Sequence, residues 1–94
     1  MSKKRVAIIG VTGSVGQEFV QSLNNHPWFE VTQIAASSRS AGKKYLDSIK
    51  DASGIIAWDV GGEIPEYIKE MTVKSVDELD VSELDLIFSA VESE

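Results

Sequence analysis

The pattern of apolar and polar positions changes period several times along this chain, and each change marks an element. Arg5 to Gly10 (R-V-A-I-I-G) is a nearly continuous apolar run, too short for a helix and closed by glycine. Such a run predicts a strand buried on both faces, as in a parallel sheet. From Ser14 the period becomes helical: Val15, Phe19, Val20 and Leu23 fall at i, i+4, i+5 and i+8, which makes one apolar stripe. Ser14 with Gln17 has the spacing of a capping box, and Asn24-Asn25 ahead of Pro27 stops the helix. A second strand is expected at Val31 to Ala36, closed by the polar stretch Ser37-Ser38-Arg39-Ser40. Trp28 and Phe29 are expected to anchor the turn between helix and strand in the core.

Residues 41–63 are rich in Gly, Lys and Asp and signal weakly, with a short strand at Gly54 to Trp58 as the one element they offer. Trp58 is expected to pack internally or against a further part of the chain. Pro65 to Met71 fits one or two helical turns, because proline does no harm at an early helical position. Thr72 to Val76 reads as a third strand, Val76 to Glu83 as a short acidic helix or turn, and Leu84 to Val91 as a last strand. Strands alternating with helices predict an α/β fold with a mainly parallel sheet and right-handed crossovers. The strands beginning near Arg5, Val31 and Leu84 are expected to be neighbours.

Composition narrows the function. With 94 residues, 43% apolar and 26% charged, the chain is an ordinary globular domain. Nine Lys+Arg against 15 Asp+Glu leave a net charge of −6, which argues against binding nucleic acid or an anionic membrane. No apolar run approaches a membrane span, so no membrane partner is expected. There is no cysteine, hence no disulfide, thiolate metal site or cysteine nucleophile in these residues, and a reducing cytoplasmic setting is compatible. His26, the one histidine, sits beside Pro27 without an indicated Cys or Ser partner and reads as a surface residue. Asp77, Glu78, Asp80, Glu83 and Asp85 read as a solvated acidic face, since no calcium-loop pattern accompanies them. No catalytic residue and no metal ligand is assigned.

The sharpest chemical signal is Gly10-Val-Thr-Gly13-Ser-Val-Gly16, between a predicted strand and a predicted helix. Gly10 permits the tight turn, Gly13 lets the backbone approach a pyrophosphate, and Gly16 lets helix and strand pack closely. The free N–H groups of the helix start, at the positive end of its dipole, then hold the anion. The spacing is G-x-x-G-x-x-G and no G-K-[ST] follows, which excludes a Walker loop. At the tip of the second strand, where NAD-preferring folds place a carboxylate for the ribose 2′-hydroxyl, this chain has Ser37-Ser38-Arg39-Ser40. A carboxylate would repel a 2′-phosphate, whereas Arg39 pairs with it through a fork of donors, so NADP is favoured over NAD. Glu30 lies at the wrong end of the strand to reach the ribose.

These two motifs together resemble the start of the aspartate-semialdehyde dehydrogenase family. Its glycine loop resembles G-x-T-G-x-V-G, and its second motif resembles A-S-x-R-S-A-G-K, here Ala36 to Lys43. Asn25-His26-Pro27-Trp28-Phe29 and Phe88 to Glu94 resemble the archaeal and fungal branch, while Val11 departs from the more usual Ala. The resemblance implies a Rossmann-type NAD(P)-binding fold in which residues 1–94 are an incomplete N-terminal NADP-binding domain, with the catalytic and dimerisation domain elsewhere. It implies that Thr12, Gly13, Ser14 and Val15 contact the pyrophosphate and Ser37, Ser38, Arg39 and Ser40 the 2′-phosphoribose. Ser89 and Ala90 would end a central strand near the nicotinamide. The family's nucleophilic Cys, general-base His and substrate-binding Arg lie outside these residues.

The implied reaction is the NADP- and phosphate-dependent interconversion of aspartate semialdehyde and aspartyl phosphate in lysine, threonine and methionine biosynthesis. A small-molecule substrate and a cytoplasmic homo-oligomer come with it. A malonyl-CoA reductase resembles the same branch, and a stand-alone NADP-binding module without catalysis is the alternative of another class.

Overall fold

The computed structural model describes residues 3–37, 39–51 and 53–90. Four parallel strands form one sheet in the order β3-β2-β1-β4. The first strand, β1 (Lys4–Ile9), lies between β2 (Phe29–Ala35) and β4 (Leu86–Ser89), so Val6, Ala7 and Ile8 are buried on both sides. That position is why its apolar run is continuous and not alternating. The third strand, β3 (Val73–Lys74), is a two-residue edge paired with Ile34 and Ala35. The expected parallel neighbours are therefore present, and the chain has an open parallel α/β architecture.

The chain builds outward from β1 to β2 to β3, then returns across the sheet to place β4 on the other side of β1. This reversal makes a topological switch point between the C-terminal ends of β1 and β4, where open α/β sheets bind ligands. Connection one is the helix α1 (Ser14–Ser22), which buries Gly16, Gln17 and Val20. Its core face is rotated from the expected stripe: Val15 is 42% exposed, while Phe19 is half-buried. The close seat of Gly16 on the β1 exit turns positions 16, 20 and 23 inward. Asn25, at φ 56, ends the helical segment in the left-handed region. Phe19, Phe88 and Phe29 then form an aromatic cluster joining α1, β4 and β2, with centroids 5.3 Å and 5.8 Å apart in the two contacts.

Several expectations are corrected. Residues 54–58 form no strand. The Asp51 carboxylate accepts from the Ser53 and Ile55 backbone N–H groups, and the chain doubles back so that Ala57 donates to Ile49. This local turn satisfies the backbone without reaching the sheet. Pro65 to Met71 does hold one helical turn as expected, α3 (Glu66–Lys69), but a turn not expected, α2 (Tyr45–Ser48), lies in the segment with weak signals. The acidic stretch is two 3-10 turns, Val76–Glu78 and Val81–Glu83, because Leu79 between them is extended. Trp28 is not a core anchor: it is 69% exposed, edge-on to His26, and only Phe29 packs inward. Val91, the expected end of the last strand, lies outside the described residues.

A register shift between Val6 and Ala7 leaves Thr32 as an extra residue of β2, opposite no partner. It seats Gln33 in the interior, where Oε1 accepts from the Asp80 N–H at 2.9 Å and Nε2 donates to the Asp80 carbonyl at 3.0 Å. This amide ties the β3-to-β4 return to the sheet and fixes the path that creates the switch point.

Candidate functional site

The glycine loop leaves β1 at the switch point. Gly10 has φ 78, a left-handed conformation that side chains resist, and its N–H donates to the Ala35 carbonyl at 2.9 Å. At Gly16, a Cβ would collide with the Gly10 carbonyl and lie 2.7 Å from the Val11 Cα. Both are backbone atoms, so glycine is required there for packing. Gly13 is different. Its φ of −80 suits any residue, and nothing but the Gly10 carbonyl, at 3.9 Å, approaches its Cβ position. The fold itself has no need of glycine at 13; the space beside it faces solvent at the start of α1.

The expected capping box does not form. Gly13 is the N-cap of α1 and no side chain caps the helix. The first-turn N–H groups of Ser14, Val15 and Gly16 have no intrahelical acceptors, a property of any helix start. Gln17 is instead 1% exposed, with Nε2 donating to the Thr12 and Ala57 carbonyls at 3.0 and 2.9 Å, and Oε1 accepting from the Asp59 N–H at 2.7 Å. A helix start with a positive dipole end, open donors and no Cβ in front of it fits a dinucleotide pyrophosphate.

The second loop begins where β2 ends, beside the first, since Val11 and Gly10 both donate to Ala35. The Ser37 carbonyl accepts from the Ser40 and Ala41 N–H groups, and Arg39 is exposed beside them. Gly42 donates to Val73 and Val73 to Lys43, both at 2.7 Å, so the loop is fastened to the β3 edge. Ser38 lies outside the described residues. The fully buried Tyr45 donates its hydroxyl to the Val11 carbonyl at 3.0 Å and locks this loop to the glycine loop. Burial pushes the Tyr45 phenol well above its usual range, with the neighbouring Tyr67 adding to the shift, so it stays a donor. Sequence reasoning missed both Tyr45 and Gln17. The signal was present in their position, Gln17 directly after the first motif and Tyr45 two residues after the second.

Ser89 pairs with Ile9 at the end of β4 and is exposed, while Ala90 is half-buried and donates to the Ile9 carbonyl at 2.8 Å. Gly10 to Gly16, residues 37 and 39–40, and Ser89-Ala90 thus leave the C-terminal ends of β1, β2 and β4, on one edge of the sheet. His26 is at the opposite end, where its Nδ1 accepts from the Trp28 N–H. Among the described residues no cluster of His, Cys, Asp or Glu is arranged to hold a metal. No helix among them is long and apolar enough to cross a membrane.

Residues 5–94 match the family described as "Semialdehyde dehydrogenase, NAD binding domain". The chain belongs to this family. It is 43% identical over 86 residues to the aspartate-semialdehyde dehydrogenase of Methanothermobacter thermautotrophicus, covering 92% of this chain and 23% of that protein. With the Schizosaccharomyces pombe aspartate-semialdehyde dehydrogenase it shares 38% over 94 residues, all of this chain and 24% of the relative. Among solved structures, the Candida albicans aspartate semialdehyde dehydrogenase with NADP superposes at TM-score 0.81 and 38% identity, covering 97% of this chain and 24% of that one. The chain therefore spans about a quarter of the length of the relatives it matches. The archaeal and fungal resemblance and the NAD(P)-binding Rossmann-like fold both hold.

Proposed function

We propose that residues 1–94 are the N-terminal, NADP-binding portion of an aspartate-semialdehyde dehydrogenase. The observation that carries this is the uncapped start of α1 at the switch point, with open space at Gly13 and an exposed Arg39 on the adjoining loop. Gly10, Thr12, Gly13, Ser14, Val15 and Gly16 would hold the pyrophosphate through backbone N–H groups and the helix dipole. Ser37, Ser38, Arg39 and Ser40 would hold the 2′-phosphate, and Ser89 and Ala90 would flank the nicotinamide. Bound NADP supplies the hydride acceptor for oxidation of the aldehyde carbon. The chain has no cysteine, so the attacking thiol of the family, with its base and its substrate-binding arginine, belongs to a catalytic domain outside these residues. A cytoplasmic homo-oligomer acting on a small-molecule substrate is part of the same proposal. The relatives described above carry the aspartate-semialdehyde dehydrogenase name, which favours that substrate over malonyl-CoA.

Calorimetric titration with NADP and NAD tests the cofactor reading. A charge-assisted bond contributes about 1.5–3 kcal/mol, so Arg39→Ala should lower NADP affinity about 10- to 100-fold. NAD affinity should barely change, because its 2′-hydroxyl brings no matching charge. Equal losses for both would mean that Arg39 supports the loop and does not read the phosphate.

A further inference from the structure

We propose that Gln17 is a positioning residue for the dinucleotide phosphates, acting through the peptide between Thr12 and Gly13. The inference rests on the NADP-binding reading and adds to it a residue that touches no phosphate itself.

A peptide group is a rigid plane, with its carbonyl and N–H on opposite edges. The plane between Thr12 and Gly13 is pinned at both: the Gln17 amide donates to the Thr12 carbonyl at 3.0 Å, and the Gly13 N–H donates to the Gly10 carbonyl at 3.3 Å. With no side-chain cap on α1, Gln17 is the side chain that fixes the orientation of this entry peptide. The next peptide, which carries the Ser14 N–H, is held in turn by the Gln17 backbone N–H on the Gly13 carbonyl at 2.8 Å.

The same amide reaches in the other direction. Its second N–H donates to the Ala57 carbonyl and its oxygen accepts from the Asp59 N–H. Both hydrogens and the oxygen are thus used, inside a side chain that is 1% exposed. The segment 57–61 is held along α1 by three positions on one helix face: Ser14 to the Asp59 carboxylate at 3.3 Å, Gln17, and Gln21 to the Gly61 carbonyl at 2.9 Å. Trp58 closes the segment by donating its indole N–H to the same Gly61 carbonyl. Gln17 is the one side chain of the three that bonds both to the segment and to the backbone of the glycine loop, at the Thr12 carbonyl.

The test is Gln17→Glu, titrated with NAD and NADP beside the unsubstituted protein. At about pH 8 the carboxylate has no donor for the Thr12 and Ala57 carbonyls. Affinity should fall at least about tenfold, and equally for the two nucleotides, because they share the pyrophosphate. This separates Gln17 from Arg39, whose loss is confined to NADP. Lowering the pH toward about 5 protonates a buried carboxyl and returns one donor. NAD affinity of the variant, taken as a ratio to the unsubstituted protein at each pH, should then partly recover. A folded variant that binds both nucleotides unchanged, or a loss without pH recovery, overturns the proposal. If the variant does not fold, hydrogen exchange of the Gln17 side-chain amide in the unsubstituted protein decides: saturating NAD should slow it several-fold, and unchanged exchange overturns the proposal. Failure of the unsubstituted protein to bind either nucleotide would instead overturn the NADP-binding reading.

Discussion

Each of the three loop glycines answers a different demand, and single substitutions separate them. Gly16→Ala places a methyl against the Gly10 carbonyl and the Val11 backbone, which cannot swing aside as a flexible side chain can. Overpacking of this kind costs about 1–3 kcal/mol, and urea unfolding should show it as a lowered midpoint. Gly13→Ala meets open space at an ordinary φ, so the gain of about 0.4–1 kcal/mol from a less flexible unfolded chain offsets the poorer N-cap and stability should hold within about 1 kcal/mol. Its nucleotide affinity should nevertheless drop at least about tenfold, since the methyl occupies the approach of the pyrophosphate. Unchanged affinity in Gly13→Ala would move the phosphates away from this loop. The G-x-x-G-x-x-G spacing marked all three positions, but distances alone show that Gly13 is the one the fold does not explain.

Between elements, two buried side chains hold the two loops proposed for the cofactor, and neither belongs to the glycine or the serine-arginine motif. Tyr45 joins α2 to the glycine loop, and Tyr45→Phe leaves the Val11 carbonyl without that donor in a fully buried place. We expect a loss of about 1–3 kcal/mol in thermal or denaturant unfolding. A loss under about 0.5 kcal/mol would mean that another donor reaches the carbonyl. Gln17 illustrates why such residues escape a reading of spacing. Three positions after Ser14, it has the sequence of a capping partner, yet Gly13 takes the N-cap and the amide turns into the interior. Which acceptors it finds depends on residues 57–59, about forty positions away. Trp28 shows the same limit: its apolar character was plain, yet it lies outside the core while its neighbour Phe29 packs inward.

For the whole molecule, stability should fall on both sides of a broad neutral plateau. The Arg5 backbone N–H, at 2.8 Å, holds the Asp85 carboxyl below its ordinary pKa; bonds from Ser75 do so for Glu78 and from Ser53 for Asp51. For carboxyls lowered on folding, the stabilisation is present above their unfolded values, about 4, and is lost as pH drops through the folded ones. Burial raises Tyr45 and Tyr67, so their contribution is present below about pH 10 and is lost as pH rises beyond it. Circular dichroism melts from about pH 2 to 11 should trace this shape. Asp85→Asn should make the acid side shallower, and an acid side unaltered by that change would remove Asp85 from the account.

By itself, the sequence determined β1, β2, β4 and α1, and the residue types that the two loops carry. The buried R-V-A-I-I-G run, the change to helical period at Ser14 and the glycine spacing are local properties, legible because burial and backbone geometry act on neighbours. Arg39 in place of a carboxylate was legible for the same reason. Only the tertiary structure decided where Gln33, Gln17 and Tyr45 find partners, how residues 53–58 turn back short of the sheet, and which apolar residues stay outside. Those outcomes depend on contacts between distant segments, such as Gln33 with Asp80 and Tyr45 with Val11. A buried polar group must find a partner wherever the fold brings one, and spacing along the chain carries no record of that distance.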